Sequence, residues 1–204
     1  MKKIIILFVL IASAVSCSKN ALAYYNEGES KMHINIDGNR ILDAKDCYTK
    51  ALELDPNFFL AYWGRGNTLF FLKDYQAAIT DYTKAISLNP KFYNAYCNRG
   101  GAKVELQDYK GALQDLNTAI LIKSDDYYLY YCRGTAKYIM EDYPEAKADF
   151  SKAIELYTNY TKAYYYRGLT CFKLKEKDNA CADWKTANEL GYTAAVEMMD
   201  KYCK

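Results

Sequence analysis

The fold is decided by the stretch Ala95-Tyr96-Cys97-Asn98-Arg99-Gly100, because close copies of it recur along the chain. The same tyrosine and Arg-Gly signature appears at Tyr62 to Gly66, at Tyr130 to Gly134 and at Tyr164 to Gly168. The Arg-Gly pairs begin at Arg65, Arg99, Arg133 and Arg167, so that successive pairs lie 34 residues apart. Self-similarity at a fixed period of this size predicts a solenoid, in which each unit buries its apolar face against its neighbours.

Each period divides into two helical halves, because apolar residues within a half are spaced three and four apart. The second half repeats a small residue, a large residue and another small residue at fixed places. These are Ala78, Ala112, Ala146 and Ala180, then Tyr82, Leu116, Phe150 and Trp184, then Ala85, Ala119, Ala153 and Ala187. Small residues allow two helices to approach closely, and the large residue fills the space beside them.

The run Ala61-Tyr62-x-x-Arg65-Gly66 resembles the start of a tetratricopeptide repeat, and the residues after it continue the likeness. They are Leu69, Tyr75, Ala78, Tyr82, Ala85 and Pro90. Four full units resemble this repeat, at residues 59–92, 93–126, 127–160 and 161–192. The resemblance implies an all-α fold, a right-handed superhelical solenoid of paired antiparallel helices with a concave, partner-binding face.

The repeat region is expected to extend from residue 21 to 192, with an irregular first unit at 21–58. Ala23 to Gly28 matches the recurring stretch, but Gly28 and Ala44 are sixteen residues apart, and this interval is twelve in the other units. The four inserted residues fall around His33 to Asn39 and predict a longer loop between the two helices. Residues 193–204 are expected to form a capping helix, as terminal units of solenoids often do.

The N-terminus is typical of a targeting signal. A positive start at Met1 to Lys3 precedes an apolar run at Ile4 to Val15, which is too short to span a bilayer. Ala14-Val15-Ser16-Cys17 resembles a bacterial lipobox, which implies a signal peptide at 1–16, lipid attachment to Cys17 and a short tether at 17–20. This predicts a lipid-anchored protein of the cell envelope. Ala21-Leu22-Ala23 is a rival cleavage site that would give a secreted or soluble periplasmic protein, and a retained membrane helix is the third alternative.

The second helix of each full unit carries an aspartate at the same repeat position, and the first helix carries the recurring arginine at another. We expect pairs within each unit: Arg65–Asp81, Arg99–Asp115, Arg133–Asp149 and Arg167–Asp183. The first unit has Glu27 and Cys47 at these places, so both partners are absent together. A row of acids binding cations is the alternative, but an arginine can hold a carboxylate in a two-pronged fashion.

Aromatic and amide residues fall on the first-helix face that lines the groove in the resembled family. This predicted groove consists of Trp63, Phe70, Asn94, Asn98, Tyr128, Tyr131, Tyr138, Tyr165 and Tyr166. Aromatic rings offer large contact areas that suit peptide recognition. The alternative is that these rings bury one another. The family's clamp for a C-terminal carboxylate is not supported, because the matching places hold Tyr25, Glu29 and Asn98.

Seven cysteines occur, of which Cys17 is the predicted lipid site. Cys181 begins a second helix and Cys203 ends the capping helix, so we expect a disulfide between them that staples the end of the solenoid. The other four, Cys47, Cys97, Cys132 and Cys171, occupy places that suit small core residues. Cys97 and Cys132 lie one step out of register in adjacent units, which leaves a second bridge open as an alternative. Zinc is not expected, because no Cys-x-x-Cys pair occurs.

No catalytic, cofactor or metal site is predicted. His33 is the single histidine, and no nucleophile–base pair or phosphate-binding motif accompanies it. The formal charge is only +2, without a basic stripe, which disfavours a nucleic-acid partner. The expected function is a non-catalytic protein–protein interaction scaffold that holds a peptide or protein segment in its groove. The alternative is an accessory subunit that docks on a larger envelope complex through its convex face. The oligomeric state is left open.

Overall fold

The computed structural model describes residues 19–33 and 38–204, without the side chains of residues 33–39. The expectations for the signal peptide and for Cys17 and Ser18 of the tether therefore lie outside the described residues, and so does the side chain of His33. The described part consists of helices and contains no strand. The helices are α1 (Ala21–His33), α2 (Gly38–Leu54), α3 (Phe59–Phe71), α4 (Tyr75–Leu88), α5 (Tyr93–Glu105), α6 (Tyr109–Ile122), α7 (Tyr127–Ile139), α8 (Tyr143–Leu156), α9 (Thr161–Lys173), α10 (Lys177–Glu189) and α11 (Ala194–Tyr202).

Successive helices pair into five units, α1 with α2 through α9 with α10, and each unit also packs on the next. We number these units 1 to 5. The all-α solenoid predicted from the 34-residue period is thereby confirmed. The helix α11 covers the end of unit 5, with Ala195 buried against Trp184 and Ala187 and with Glu197, Asp200 and Lys201 exposed.

Close helix pairing within a unit depends on the glycine of the Arg-Gly pair. A Cβ atom added to Gly66 would lie 2.6 Å from Tyr82 Cε1, and one added to Gly168 would lie 2.6 Å from Trp184 Nε1. Both partner side chains are almost fully buried, at 1% and 0% exposure. A larger residue would therefore force the two helices of the unit apart.

The turn inside each of units 2 to 4 begins the second helix at an aspartate. Asp74 and Asp108 cap α4 and α6, because their carboxylates accept hydrogen bonds from the backbone N–H groups of Ala77 and Gly111. Pro144 lies in the first turn of α8, where no intrahelical donor is required. Asp55-Pro56 and Asn89-Pro90 follow the last residues of α2 and α4, as predicted.

The first unit differs from the expected longer loop. α2 begins at Gly38 and is 17 residues long, whereas α4 is 14 residues long, so Gly38 and Asn39 belong to a helix rather than a loop. The extra residues at the start of α2 amount to about one helical turn. An insertion close to one turn extends a helix without rotating the apolar face that follows, and Ala44 and Tyr48 remain buried.

Of the residues described, no helix has both the length and the apolar character that crossing a bilayer requires.

Candidate functional site

The predicted Arg–Asp pairs are present in units 2 to 5 with the same geometry. Arg99 donates from Nε to Asp115 Oδ2 at 2.8 Å and from Nη2 to Asp115 Oδ1 at 2.6 Å. The other three pairs, Arg65–Asp81, Arg133–Asp149 and Arg167–Asp183, form the same two bonds at 2.6 to 2.9 Å. The aspartates are buried, at 4 to 7% exposure, so each carboxylate depends on its arginine for charge compensation. Asp115 and Asp149 are also paired with Lys103 and Lys137.

Three of the arginines also reach the preceding unit, which the sequence did not indicate. Arg99 Nη1 donates to Thr83 Oγ1 at 3.0 Å, and Arg133 Nη1 donates to Asn117 Oδ1 at 2.7 Å. Arg167 Nη1 donates to Ser151 Oγ at 3.3 Å. Each guanidinium group therefore joins two units, and it also lies over the tyrosine one turn earlier, with Arg99 5.6 Å from the Tyr96 ring centre. We call these arginines, aspartates and polar partners the ion ladder.

The predicted groove side of the solenoid contains a recurring pair of aromatic rings, one on the first helix of a unit and one just before the helix that follows that unit. The ring centres are 5.2 Å apart in Tyr25–Phe58, 5.5 Å in Trp63–Phe92, 5.1 Å in Tyr131–Tyr160 and 5.0 Å in Tyr165–Tyr192. We call these the ring pairs. At distances of this size aromatic rings attract one another beyond simple burial.

Unit 3 lacks its ring pair, because the two places hold Cys97 and Asp126. The Asp126 carboxylate instead caps α7 by accepting a hydrogen bond from the Tyr128 N–H at 2.9 Å. Gly101 widens the same region, since the corresponding places in units 2, 4 and 5 hold Asn67, Thr135 and Leu169. A Cβ atom on Gly101 would have its nearest neighbour, Phe70 Cε2, at 3.9 Å.

The missing ring pair leaves a cleft of about 300 Å³ between α3, α5 and α7. The cleft is lined by Asn67, Phe70, Phe71, Tyr82, Cys97, Asn98, Gly101, Tyr128 and Cys132. Two rings on its rim are unusually accessible, because Phe71 is 53% exposed and Tyr128 is 46% exposed. Exposed aromatic rings beside a concave space are typical of a binding site.

Polar groups on the cleft wall form a small network. Asn98 Nδ2 donates to Asn67 Oδ1 at 2.7 Å, and the Tyr82 hydroxyl donates to the same oxygen at 3.0 Å. Burial raises the pKa of the Tyr82 hydroxyl, which therefore stays protonated and able to donate. An asparagine amide provides both donors and an acceptor, and this combination matches the groups of a peptide backbone.

The predicted groove residues separate into two groups. Phe70, Asn98 and Tyr128 line the cleft. The other aromatic members do not, because they pack on neighbouring rings: Trp63 on Phe92, Tyr131 on Tyr160 and Tyr166, Tyr138 on Tyr143 and Tyr166, and Tyr165 on Tyr192. Asn94 lies beside Tyr93 at the start of α5 and is not among the residues that line the cleft.

Mutual burial, the alternative stated for these rings, is the physical reason for this separation. Four tyrosines of units 4 and 5, Tyr131, Tyr138, Tyr165 and Tyr166, form a continuous cluster of half-buried rings. Burial of the ring raises the pKa of Tyr131, Tyr138 and Tyr165, as expected when a phenolate would lose its hydration. The groove of units 4 and 5 is therefore filled by its own side chains.

The cleft residues that sequence reasoning missed are Asn67, Phe71, Tyr82, Cys97, Gly101 and Cys132. The sequence could have predicted Asn67 as a groove residue, because it lies one helical turn from both Trp63 and Phe70. The substitution of a glycine for larger residues at position 101 was a second usable signal.

The expected disulfide joins Cys181 on α10 to Cys203 after α11, with the two Cα atoms 5.7 Å apart. Cys47, Cys97, Cys132 and Cys171 are free thiols. Burial raises the pKa of Cys171 to about 11, which keeps this thiol protonated and inert. Across the part of the chain that the structure describes, no group of three or more ligating side chains could hold a metal ion.

Comparison with known proteins agrees with this architecture. Family profiles described as tetratricopeptide repeats match residues 60–92, 33–58 and 93–126. No curated protein matches the chain significantly.

Solved structures share the fold along most of its length. "Crystal structure of YrrB: a TPR protein with an unusual peptide-binding site" has a TM-score of 0.66 and 23% identity over 89% of this chain and 92% of that one. MamA from Desulfovibrio magneticus RS-1 has a TM-score of 0.71 and 21% identity, over 85% and 96%. TTC0263, a thermophilic TPR protein in Thermus thermophilus, has a TM-score of 0.73 and 17% identity, over 86% and 98%.

Tetratricopeptide-repeat proteins generally mediate protein–protein interaction, and their fold is typically a non-catalytic scaffold. The repeating helix pairs, the family profiles and the similar solved structures lead to the same result: this chain carries tetratricopeptide repeats and folds as a solenoid of that kind.

Proposed function

We propose that this protein is a non-catalytic interaction module that binds an extended peptide or protein segment in the cleft of unit 3. The observation that supports this most strongly is the loss of the ring pair at one unit only among the five. Where Cys97 and Asp126 replace two aromatic rings, the groove has room for side chains of another molecule. YrrB, which shares this fold, is described as having an unusual peptide-binding site.

The chemistry of the cleft suits a peptide with at least one large apolar side chain. Phe70 and Tyr128 offer aromatic ring faces for contact. Gly101 has no side chain and so leaves space between them. The amide pair Asn67–Asn98 can donate to and accept from a peptide backbone that runs along the groove. Rings with amides beside them combine contact area with orientation, which is how binding surfaces concentrate their energy.

The test uses peptides selected from a random library for binding to the purified chain, with affinity measured by fluorescence anisotropy. The double variant Asn98→Ala plus Tyr128→Ala should weaken binding by at least tenfold, because it removes an amide and a rim ring of the cleft. It leaves the side chains of the packed cluster of units 4 and 5 in place, although Tyr131 loses its contact with Tyr128, at 6.0 Å between ring centres. Leu121→Asp is the matched control, since this leucine is 86% exposed on α6 and outside the cleft. Equal affinity of the double variant and the unaltered chain would contradict the proposal.

Docking through the convex face is the second candidate, and Leu121 is the observation that favours it. A leucine that is 86% exposed, where units 2 and 4 hold Ser87 and Glu155, is typical of a contact surface. In a pull-down from detergent-solubilised membranes, Leu121→Asp should release the partner under this candidate. The cleft double variant should release it under the first.

We further propose that the protein is tethered to the cell envelope by lipid on Cys17, which lies outside the described residues. The packing of α1 supports cleavage before Cys17 over cleavage after Ala23. Ala21 and Tyr24 pack against a core cluster that contains Ala51. Cleavage after Ala23 would remove Ala21 and the other residues at the start of α1. The mass of the mature protein tests this: a diacylated or triacylated Cys17 is expected, and a chain that starts at Tyr24 would overturn the tether.

A further inference from the structure

Two free thiols from neighbouring units meet on the floor of the cleft. Cys97 on α5 is 3% exposed and belongs to the buried core cluster of units 3 and 4. Cys132 on α7 is half-buried and packs against that cluster. Both side chains line the cleft and both are free. Cys132 is therefore the thiol that a reagent in the cleft would meet first, with Cys97 behind it.

The two thiols are neighbours in the cleft, because both line it and Cys132 packs against the buried cluster that contains Cys97. The neighbouring Cys132 thiol, followed by burial, raises the pKa of the Cys97 thiol. Their helices α5 and α7 contact each other although they belong to different units. First helices of neighbouring units contact one another along the whole stack, but at this junction Cys97 holds the place that an aromatic ring occupies in Trp63, Tyr131 and Tyr165. A small side chain there lets the sulfur of Cys132 approach.

We propose that Cys97 and Cys132 form a dithiol–disulfide pair, a covalent modification site that links unit 3 to unit 4 through the floor of the cleft. The inference stands apart from peptide binding, because it concerns the chemistry of the two thiols alone.

The reaction is a thiol–disulfide exchange with a small disulfide such as oxidised glutathione as the oxidant. The Cys132 thiolate attacks one sulfur of the oxidant, which forms a mixed disulfide and releases one glutathione thiolate. The Cys97 thiolate then attacks the Cys132 sulfur, which forms the Cys97–Cys132 bond and releases the second glutathione. The protein loses two protons and two electrons, and the oxidant is reduced to two thiols. The raised pKa of Cys97 predicts that this second step becomes faster with rising pH.

The bridge would act on the one junction that lacks a ring pair. A disulfide between residues 97 and 132 lowers the conformational entropy of the locally unfolded state. This junction should therefore open less often. Tyr128, on the cleft rim, lies one helical turn before Cys132 on α7 and would be held with it. We expect the backbone amides in the first turns of α7 to exchange with deuterium several-fold more slowly after oxidation.

The experiment exposes the purified mature chain to oxidised glutathione, quenches with iodoacetamide and analyses the intact protein and its peptides by mass spectrometry. The expected product is lighter by two hydrogen atoms than the starting protein and yields a linked peptide that contains Cys97 and Cys132. Cys47 and Cys171 should remain free thiols after denaturation. A stable mixed disulfide on Cys132, or alkylation of both residues without a linked peptide, would overturn the proposal.

Two single variants control the result. Cys132→Ser removes the accessible thiol of the pair and should abolish the linked peptide between residues 97 and 132. Cys171→Ser is the matched control, since it removes a different buried thiol and should leave the bridge unchanged. In the Cys132→Ser protein, a linked peptide that joins any cysteines other than the native Cys181–Cys203 pair would mean that the oxidation is not site-specific and would overturn the proposal.

Discussion

The junction between units 3 and 4 and the junction between units 4 and 5 use the same positions with different residues. At the second, Tyr131 and Tyr160 form a ring pair that fills the groove. At the first, Cys97 and Asp126 occupy those places and a cleft remains. The ion ladder crosses both junctions alike, through Arg133 to Asn117 and through Arg167 to Ser151.

This difference separates the residues that hold the solenoid together from those that give it a site. The Arg–Asp pair of the ion ladder is the same in units 2 to 5, and in units 3 to 5 its arginine also bonds to the preceding unit. The groove side varies, because the stack is already secured without it. A departure from the repeat therefore identifies a candidate site more sharply than the presence of an aromatic residue does.

The largest effect is expected where the ion ladder is broken. Asp115→Ala leaves Arg99 and Lys103 without their buried carboxylate, and Asp149→Ala does the same to Arg133 and Lys137. Each substitution should lower the free energy of unfolding by about 3 kcal/mol, because an uncompensated charge remains partly buried. Urea denaturation of the two variants measures the loss. Losses that differ by more than about 1 kcal/mol would show that the ladder is not uniform between units 3 and 4.

The next effect should appear only at the closed junction. Tyr160→Ala removes ring contacts to Tyr131 at 5.1 Å and to Tyr127 at 4.8 Å, and should cost about 2 kcal/mol. Asp126→Ala, at the same place in unit 3, removes only the cap of α7 and should cost about 1 kcal/mol. Thermal unfolding of both variants tests this order, and a larger loss for Asp126→Ala would reverse the comparison.

The architecture was accessible from the sequence because it depends on spacing. The 34-residue interval, the glycine of each Arg-Gly pair and the large residue sixteen places later fix how two helices approach. The inserted residues of unit 1 were misassigned to a loop, because a stretch with Asp37-Gly38-Asn39 is typical of turns. The structure extends α2 through Gly38 instead, where about one added turn keeps Ala44 facing the core.

The site was less accessible, because exposure of an aromatic ring depends on a residue far away in sequence. Tyr131 is covered because Tyr160 and Tyr166 lie beside it, and Tyr128 is 46% exposed although it belongs to the same helix. Counting rings on one helix face cannot distinguish these cases. Pairing each first-helix ring with the residue before the next first helix would have identified unit 3 as the exception.

Restoring the ring pair in unit 3 should close the cleft with little change in stability. Cys97→Tyr plus Asp126→Tyr gives unit 3 the residues that unit 4 has at these places. The new pair should contribute about 1 kcal/mol, while the lost cap of α7 removes a similar amount. Peptide affinity should fall by at least tenfold, measured by anisotropy as for the cleft variant. A variant that is fully folded by circular dichroism and still binds would refute the link between the missing pair and the site.

The smallest effect is expected at two adjacent glycines that face opposite environments. On Gly101 a methyl group would meet Phe70 Cε2 at 3.9 Å, an ordinary contact, whereas on Gly100 it would lie 3.0 Å from Leu116 Cγ and 3.3 Å from the Ala112 carbonyl oxygen. Gly101→Ala should therefore raise the free energy of unfolding by up to about 1 kcal/mol through helix propensity, and Gly100→Ala should lower it by about 1 kcal/mol. Urea denaturation of both variants measures whether each substitution raises or lowers the free energy of unfolding. Destabilisation by both substitutions would mean that position 101 is packed rather than open, and the floor of the cleft would then have to lie elsewhere.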